Sequence, residues 1–218
     1  MKNLLMILIV VFCANVLNAQ QDPKAKKILD SVSQKTKSFT SIQADFNYIF
    51  ESLQENISDT LQGKILIKGE KYKLTFSEYE RFFDGTNITT VMLEEGKPVE
   101  ATLSLPNEEG EELNPSEIFT IYQKDFKYRY REEVKEKGKQ MHLIELFPID
   151  VDAKRYSRIQ IKIDKANNQI YSFKEFDKDG NRITIELTKV QTNKPLSEKN
   201  FTFDTKKFPD IEIVDLRE

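Results

Sequence analysis

The 218-residue sequence contains a single cysteine, a single histidine and no tryptophan. Cys13 lies inside an N-terminal apolar run, so the chain beyond that run has none. Disulfide frameworks, cysteine-ligated zinc and thiol catalysis are thereby excluded together. With His142 alone, zinc sites that need two or three imidazoles are also excluded, and a Ser-His triad would have to use that residue. Seven glycines scattered through turns support no nucleotide cradle, and neither G-x-S-x-G nor H-E-x-x-H occurs. Nor is there an excess of positive charge. The 33 Lys and Arg are outnumbered by 36 Asp and Glu, a formal net charge of −3, which is no footprint for nucleic acid. What is present is charge of both signs and many aromatics, 15 Phe and 8 Tyr.

Met1-Lys2-Asn3 is a short basic start, followed by the apolar stretch Leu4 to Ala14 and the more polar Asn15 to Ala19. A stretch that short does not span about 30 Å of hydrocarbon, which takes roughly 20 residues. The pattern is that of a secretory signal peptide, residues 1–19, cleaved after Ala19 and leaving residues 20–218 as one domain. Cys13 follows Val10-Val11-Phe12, whereas a lipid-anchoring cysteine is preceded by a small residue. The expected product is therefore a soluble exported protein without a lipid anchor.

Asp22-Pro23 is an N-cap with Pro at the first helical position, and Ile28, Leu29 and Val32 then share one face of a helix over residues 23–37. Beyond it the hydrophobic period changes from about 3.6 to 2. Phe46, Tyr48 and Phe50 alternate with polar residues, as do Ile159, Ile161 and Ile163, and again Ile183 and Ile185. Shorter runs contain Ile65 and Ile67, Tyr72, Leu74 and Phe76, and Ile88. Asp84-Gly85, Lys137-Gly138, Asn167-Asn168 and Asp179-Gly180 separate the runs as hairpin turns do. The expectation is a mainly β (α+β) chain with ten or eleven strands in an antiparallel meander. A sheet that long must curl or close to hide its edges and its apolar face.

Residues 94–112 are acidic and weakly patterned, and read as an interruption. Asn114-Pro115-Ser116-Glu117 then starts a short lid helix carrying Ile118, Phe119, Ile121 and Tyr122. Asp177-Lys178-Asp179-Gly180-Asn181 begins like a calcium loop, but Thr188 stands where the closing Glu is needed, so it reads as a hairpin turn and no metal or other cofactor is expected. His142, alone on a strand, reads as structural. No residue makes catalysis the better reading, and the chain is read as a non-enzyme. The excess of large apolar side chains on one face instead suits a ligand cavity in a curled sheet. Its expected lining is Phe46, Tyr48, Phe50, Ile65, Ile67, Tyr72, Leu74, Phe76, Ile88, Ile159, Ile161, Ile163, Ile183 and Ile185.

Several segments, taken in order, resemble the LolA family of periplasmic carriers of outer-membrane lipoproteins. Ser41-Ile42-Gln43-Ala44-Asp45-Phe46 resembles the family's entry into its first strand, and Leu61-Gln62-Gly63-Lys64-Ile65 its second. Phe83-Asp84-Gly85-Thr86-Asn87-Ile88 is similar to its Asp-Gly hairpin, and Leu146-Phe147-Pro148 with residues 159–176 to its C-terminal hairpins. Phe201-Thr202-Phe203-Asp204, Phe208-Pro209 and Ile213 resemble its closing segment. The resemblance implies an incomplete antiparallel β-barrel of about eleven strands, lidded by helices, whose cavity receives acyl chains. It implies lipidated outer-membrane lipoproteins as cargo, an inner-membrane releasing transporter and an outer-membrane receptor as partners, only transient membrane contact, and a monomer. A different lipid- or lipoprotein-sensing module of the same fold is the alternative. The family's Arg-Pro pair after the second strand is replaced by Lys68-Gly69-Glu70-Lys71-Tyr72, so no lid-latching arginine carries over.

Overall fold

A computed structural model of the chain describes residues 22–106, 121–123 and 125–217. The expected signal segment with Cys13, and the start of the expected lid helix with Ile118 and Phe119, lie outside the described residues. Helix α1 spans Pro23–Lys37, as the capping signal requires. One Asp22 carboxylate oxygen accepts from the backbone N–H groups of Lys24 (2.8 Å) and Ala25 (3.1 Å). The other accepts from the Tyr130 N–H at 2.9 Å. A single cap therefore both satisfies the first turn and fastens the helix to a distant strand.

Twelve strands follow among the described residues: β1 (Ile42–Ser52), β2 (Ile57–Lys68), β3 (Lys71–Thr75), β4 (Tyr79–Phe83), β5 (Ile88–Glu94), β6 (Lys97–Ser104), β7 (Phe126–Glu136), β8 (Lys139–Pro148), β9 (Tyr156–Asp164), β10 (Gln169–Asp177), β11 (Asn181–Thr192) and β12 (Glu212–Asp215). They form one sheet in the order β12-β6-β5-β4-β3-β2-β1-β11-β10-β9-β8-β7. The outermost strands, β12 and β7, are not paired with each other, so the barrel is incomplete.

Three points differ from the sequence reading. The strands number twelve among the described residues, because β12 runs parallel beside β6 at the end of the chain. The order is not a simple meander, because β1 pairs with β2 on one side and β11 on the other, joining two runs of hairpins. Finally, residues 94–104 are not an interruption. Glu95 and Gly96 take φ of 50° and 75°, the left-handed pair of a tight hairpin, and β6 begins directly after them. Pro98 and Glu100 obscured that strand's alternation. Ala101 is its one fully buried side chain, packed with Phe82 and Val91 beneath Phe203 and Ile211 of the C-terminal segment.

The apolar side chains gather in two larger bodies. In the first, Ala25, Leu29 and Val32 of α1 pack on Ile144, Leu146, Ile159, Ile161, Ile163, Ile170 and Phe173 of β8–β10. This half of the sheet is filled by the helix. In the second, Ile42, Ala44, Phe46, Ile65, Ile67, Tyr72 and Phe83 are buried, and half-buried apolar groups of β1, β3 and β11 surround them.

Over β7–β11 the opposite face is largely polar. Glu145, 5 % exposed, is enclosed by Arg129, Arg131 and Arg158 and accepts from Gln160 at 3.1 Å. A shallow groove beside it, lined by Lys162, Lys174, Arg182 and Phe176, has its lysines paired to Glu136 and Glu51. Arg158 lies 4.0 Å from the centre of the Phe176 ring.

Burial pushes the Glu145 carboxyl up, but the bonds from Gln160 and Arg129 and the charges of Arg131 and Arg158 outweigh it and hold it below its usual value. Asp22, Asp84 and Asp164 are likewise held down, desolvation being outweighed by backbone N–H donors. Groups depressed on folding stabilise above their unfolded pKa and lose that contribution as pH falls through the folded value. The melting temperature should therefore fall steadily from about pH 5 downward. In Glu145→Gln the acid limb should be shallower and the melting temperature at pH 7 lower, both read from thermal scans between pH 3 and pH 7.

Candidate functional site

Pairing register shows which side chains share the concave face. One rung runs Tyr130, Ile144, Ile161, Phe173, Ile185, Tyr48 and Leu61 across seven strands. The next runs Tyr128, Leu146, Ile159, Glu175, Ile183 and Phe50. Residues directly opposite in a ladder point to the same side, so each rung is a continuous stripe.

Along these stripes burial is graded. Ile144, Leu146, Ile159 and Ile161 are covered, whereas Tyr48, Phe50, Ile183 and Ile185 are half-buried, as is Leu187 on the neighbouring rung, and Leu61 is 44 % exposed. The graded part is an apolar wall built on β1, β2, β3 and β11. Phe76 is its hub, meeting Phe46 edge-on at 5.5 Å, Tyr48 edge-on at 6.3 Å, and Tyr79 at 4.8 Å. Gly63 of β2, opposite Phe46, lets that ring lie across the strand, since a Cβ there would stand 2.5 Å from the ring's Cζ.

The expected lining thus divides. Phe46, Tyr48, Ile65, Ile67, Tyr72, Leu74, Phe76, Ile88 and Ile185 come together in the second body. Ile159, Ile161 and Ile163 lie in the first, packed with the residues of α1. Phe50 and Ile183 face each other on the rung between them. Of the expected lid residues, Ile121 and Tyr122 belong to a 3-10 turn, Ile121–Gln123, that packs on the α1 side. The Tyr122 hydroxyl donates to Asp30 (3.3 Å) and its ring meets Tyr128 edge-on.

Phe39, Phe83 and Leu187 also belong to the wall although the sequence reading omitted them. Leu187 was accessible, as the next member of the Ile183, Ile185 alternation; Phe83 was hidden by its neighbour Phe82, which faces the other way. Glu175 is the residue no hydrophobic pattern could have found. Lys68 and Lys71, where the family's arginine is missing, instead bracket Glu198 at 2.7 and 2.6 Å and tie the C-terminal segment to the β2–β3 turn. Their bonds hold the Glu198 carboxyl at about 2. His142 is half-buried with Nδ1 3.4 Å from the Tyr130 hydroxyl, and burial together with the charge of Lys165 lowers its pKa. Among the described residues, no three His, Cys, Asp or Glu side chains are arranged to hold a metal ion.

An open sheet with one half filled by a helix and the other presenting an apolar wall is the architecture of an incomplete β-barrel with a lipophilic inner face. The family model for the outer membrane lipoprotein carrier protein LolA matches residues 37–204, and the chain belongs to that family. No curated protein matches it in sequence. The fold is similar to an uncharacterized conserved protein from Thermus thermophilus, with TM-score 0.57 and 12 % identity over 88 % of this chain and 99 % of that one. It is also similar to LprF from Mycobacterium bovis, with TM-score 0.52 and 13 % identity over 81 % and 96 %.

Proposed function

We propose that the protein is a soluble periplasmic carrier that holds the acyl chains of lipoproteins against the wall on β1, β2, β3 and β11 and ferries them from the inner to the outer membrane. The observation that carries this reading is the graded wall itself: Tyr48, Phe50, Ile183, Ile185 and Leu187 are large, apolar, on one face and only half-buried. Membership of the family supports the choice of cargo. An acyl chain of about 15 methylenes costs roughly 12 kcal/mol to expose, at ~0.8 kcal/mol per CH₂, so a lipidated protein does not cross water unaided at useful rates. A wall that is neither fully closed nor fully wet gives part of that free energy back on binding. It leaves the remainder to a second binding surface that takes the chains on.

Export through residues 1–19 delivers the carrier to the compartment where such cargo travels. An inner-membrane transporter loads it and an outer-membrane receptor or the membrane itself unloads it. No helix among the described residues is long and apolar enough to cross a membrane, which is compatible with transient membrane contact. Mass spectrometry of the protein purified from its native envelope tests the reading. Acylated N-terminal peptides of other proteins are expected in one-to-one complexes. Phospholipid alone would make it a carrier of a different amphiphile, and no bound acyl species would contradict the reading.

A further inference from the structure

One residue of the concave face breaks its chemistry. Glu175 occupies the second rung between Ile159 of β9 and Ile183 of β11. It is only 8 % exposed, and its Oε1 has no hydrogen-bond partner among the described residues. A buried polar atom left unpaired costs about 1–3 kcal/mol, and native chains rarely keep one without a use. Its position is specific. On the β9 side Ile159 is fully buried in the helix-packed body, and on the β11 side Ile183 begins the half-buried wall. Glu175 stands on the border between the two.

We propose that Glu175 is the polar anchor of the acyl site, its carboxyl binding the ester or amide group at the head of a bound chain while the hydrocarbon runs along Ile183 and Phe50. This rests on the acyl-binding reading above and specifies which part of the ligand the wall recognises. The surroundings select that chemistry over a cation. Glu145, which is held as an anion, has three arginines and a glutamine around it. Glu175 has no such ring of donors among the described residues. Burial pushes its carboxyl up, Arg155 opposes that, and the like charge of Asp177 adds to it. The Tyr156 phenol, pushed up to about 12 by burial and by Glu175 and Asp125, stays protonated beside it. When protonated, the carboxyl donates one O–H bond and accepts another. A carbonyl oxygen takes the first, and an amide N–H, where present, provides the second. The ligand thus satisfies a group that the described residues leave unsatisfied. Lipoproteins and phospholipids share this head chemistry.

Binding of methyl dodecanoate and of dodecane, each read by displacement of N-phenyl-1-naphthylamine from the exported protein, tests the anchor. In Glu175→Leu the ester should bind about tenfold more weakly, the loss of one well-made buried hydrogen bond, while dodecane should be unaffected. Glu175→Gln keeps an N–H donor and should recover most of the ester's affinity. Glu175→Leu should melt no lower than the parent at pH 7, because a buried unpaired carboxyl has been removed, so its lost affinity is not lost folding. Equal affinity for the ester in parent and Glu175→Leu, or equal losses for ester and alkane, would overturn the anchor and leave acyl binding intact. A parent protein that binds neither probe would overturn both. The same comparison with a diacylglyceryl-cysteine peptide and with a short-chain phosphatidylglycerol assigns the anchor to whichever head loses affinity; loss with neither head also overturns it.

Discussion

Substituting Tyr48→Asp and Ile185→Asp together should abolish acyl binding, lowering affinity by at least about a hundredfold, while the protein remains folded. The two residues are direct partners in the β1–β11 ladder and lie half-buried at the middle of the wall. A carboxylate at each position keeps its hydration only if no hydrocarbon lies over it. A bound chain would strip that water, at a cost of several kcal/mol for the pair, well beyond the roughly 2.7 kcal/mol that a hundredfold represents. In the free protein both side chains still reach solvent, so the penalty falls mainly on the complex. Displacement of N-phenyl-1-naphthylamine measures the loss, and Tyr48→Leu with Ile185→Leu, which keeps the surface apolar, should bind nearly as the parent does. Retained affinity in the double aspartate variant would place the chains elsewhere.

The largest effect on stability should come from Phe46→Ala, about 3–5 kcal/mol, or roughly 10 °C or more in melting temperature. Phe46 is 5 % exposed on the central strand of the second body. Its ring packs edge-on against Phe76 and lies over Gly63, where no side chain exists to fill the vacated space. The cavity would open inside the wall, between β1, β2 and Phe76, and neighbouring strands joined by their own hydrogen bonds cannot collapse into it. Denaturant melts report the loss. A change below about 1 kcal/mol would mean that the ring is not a structural element of the wall.

The chain's alternations were sufficient to show a long curled sheet, because residues two apart share a face whatever the topology. The helix boundaries were equally legible: Asp22 and Pro23 signal an N-terminus through local hydrogen bonding alone. The pairing of β1 with β11 was not, since register between strands some 140 residues apart is decided by packing and not by local pattern. β6 was missed because Pro98 and three nearby glutamates, Glu94, Glu95 and Glu100, blurred a strand whose inward packing depends on the C-terminal Phe203 and Ile211. For the site, periodicity identified which isoleucines face inward. It could not tell Ile161, packed with α1, from Ile185, half-buried, because the two have the same pattern and differ only in what lies above them. Glu175 escaped for the opposite reason. A glutamate on a strand reads as solvated until register sets it between Ile159 and Ile183.

Acyl chains are expected to lie on the half-buried part of the concave face and not on its helix-packed half or on the polar outer face. Photo-cross-linking with a diazirine-bearing fatty acyl ester, followed by peptide mapping, tests this placement most directly. Label is expected on β1, β11 and the residue after β3, at Tyr48, Phe50, Phe76, Ile183, Ile185 and Leu187, and competed away by unlabelled ester. Label confined to Lys162, Lys174, Arg182 and Phe176 of the outer groove, or spread over the surface without competition, would contradict it.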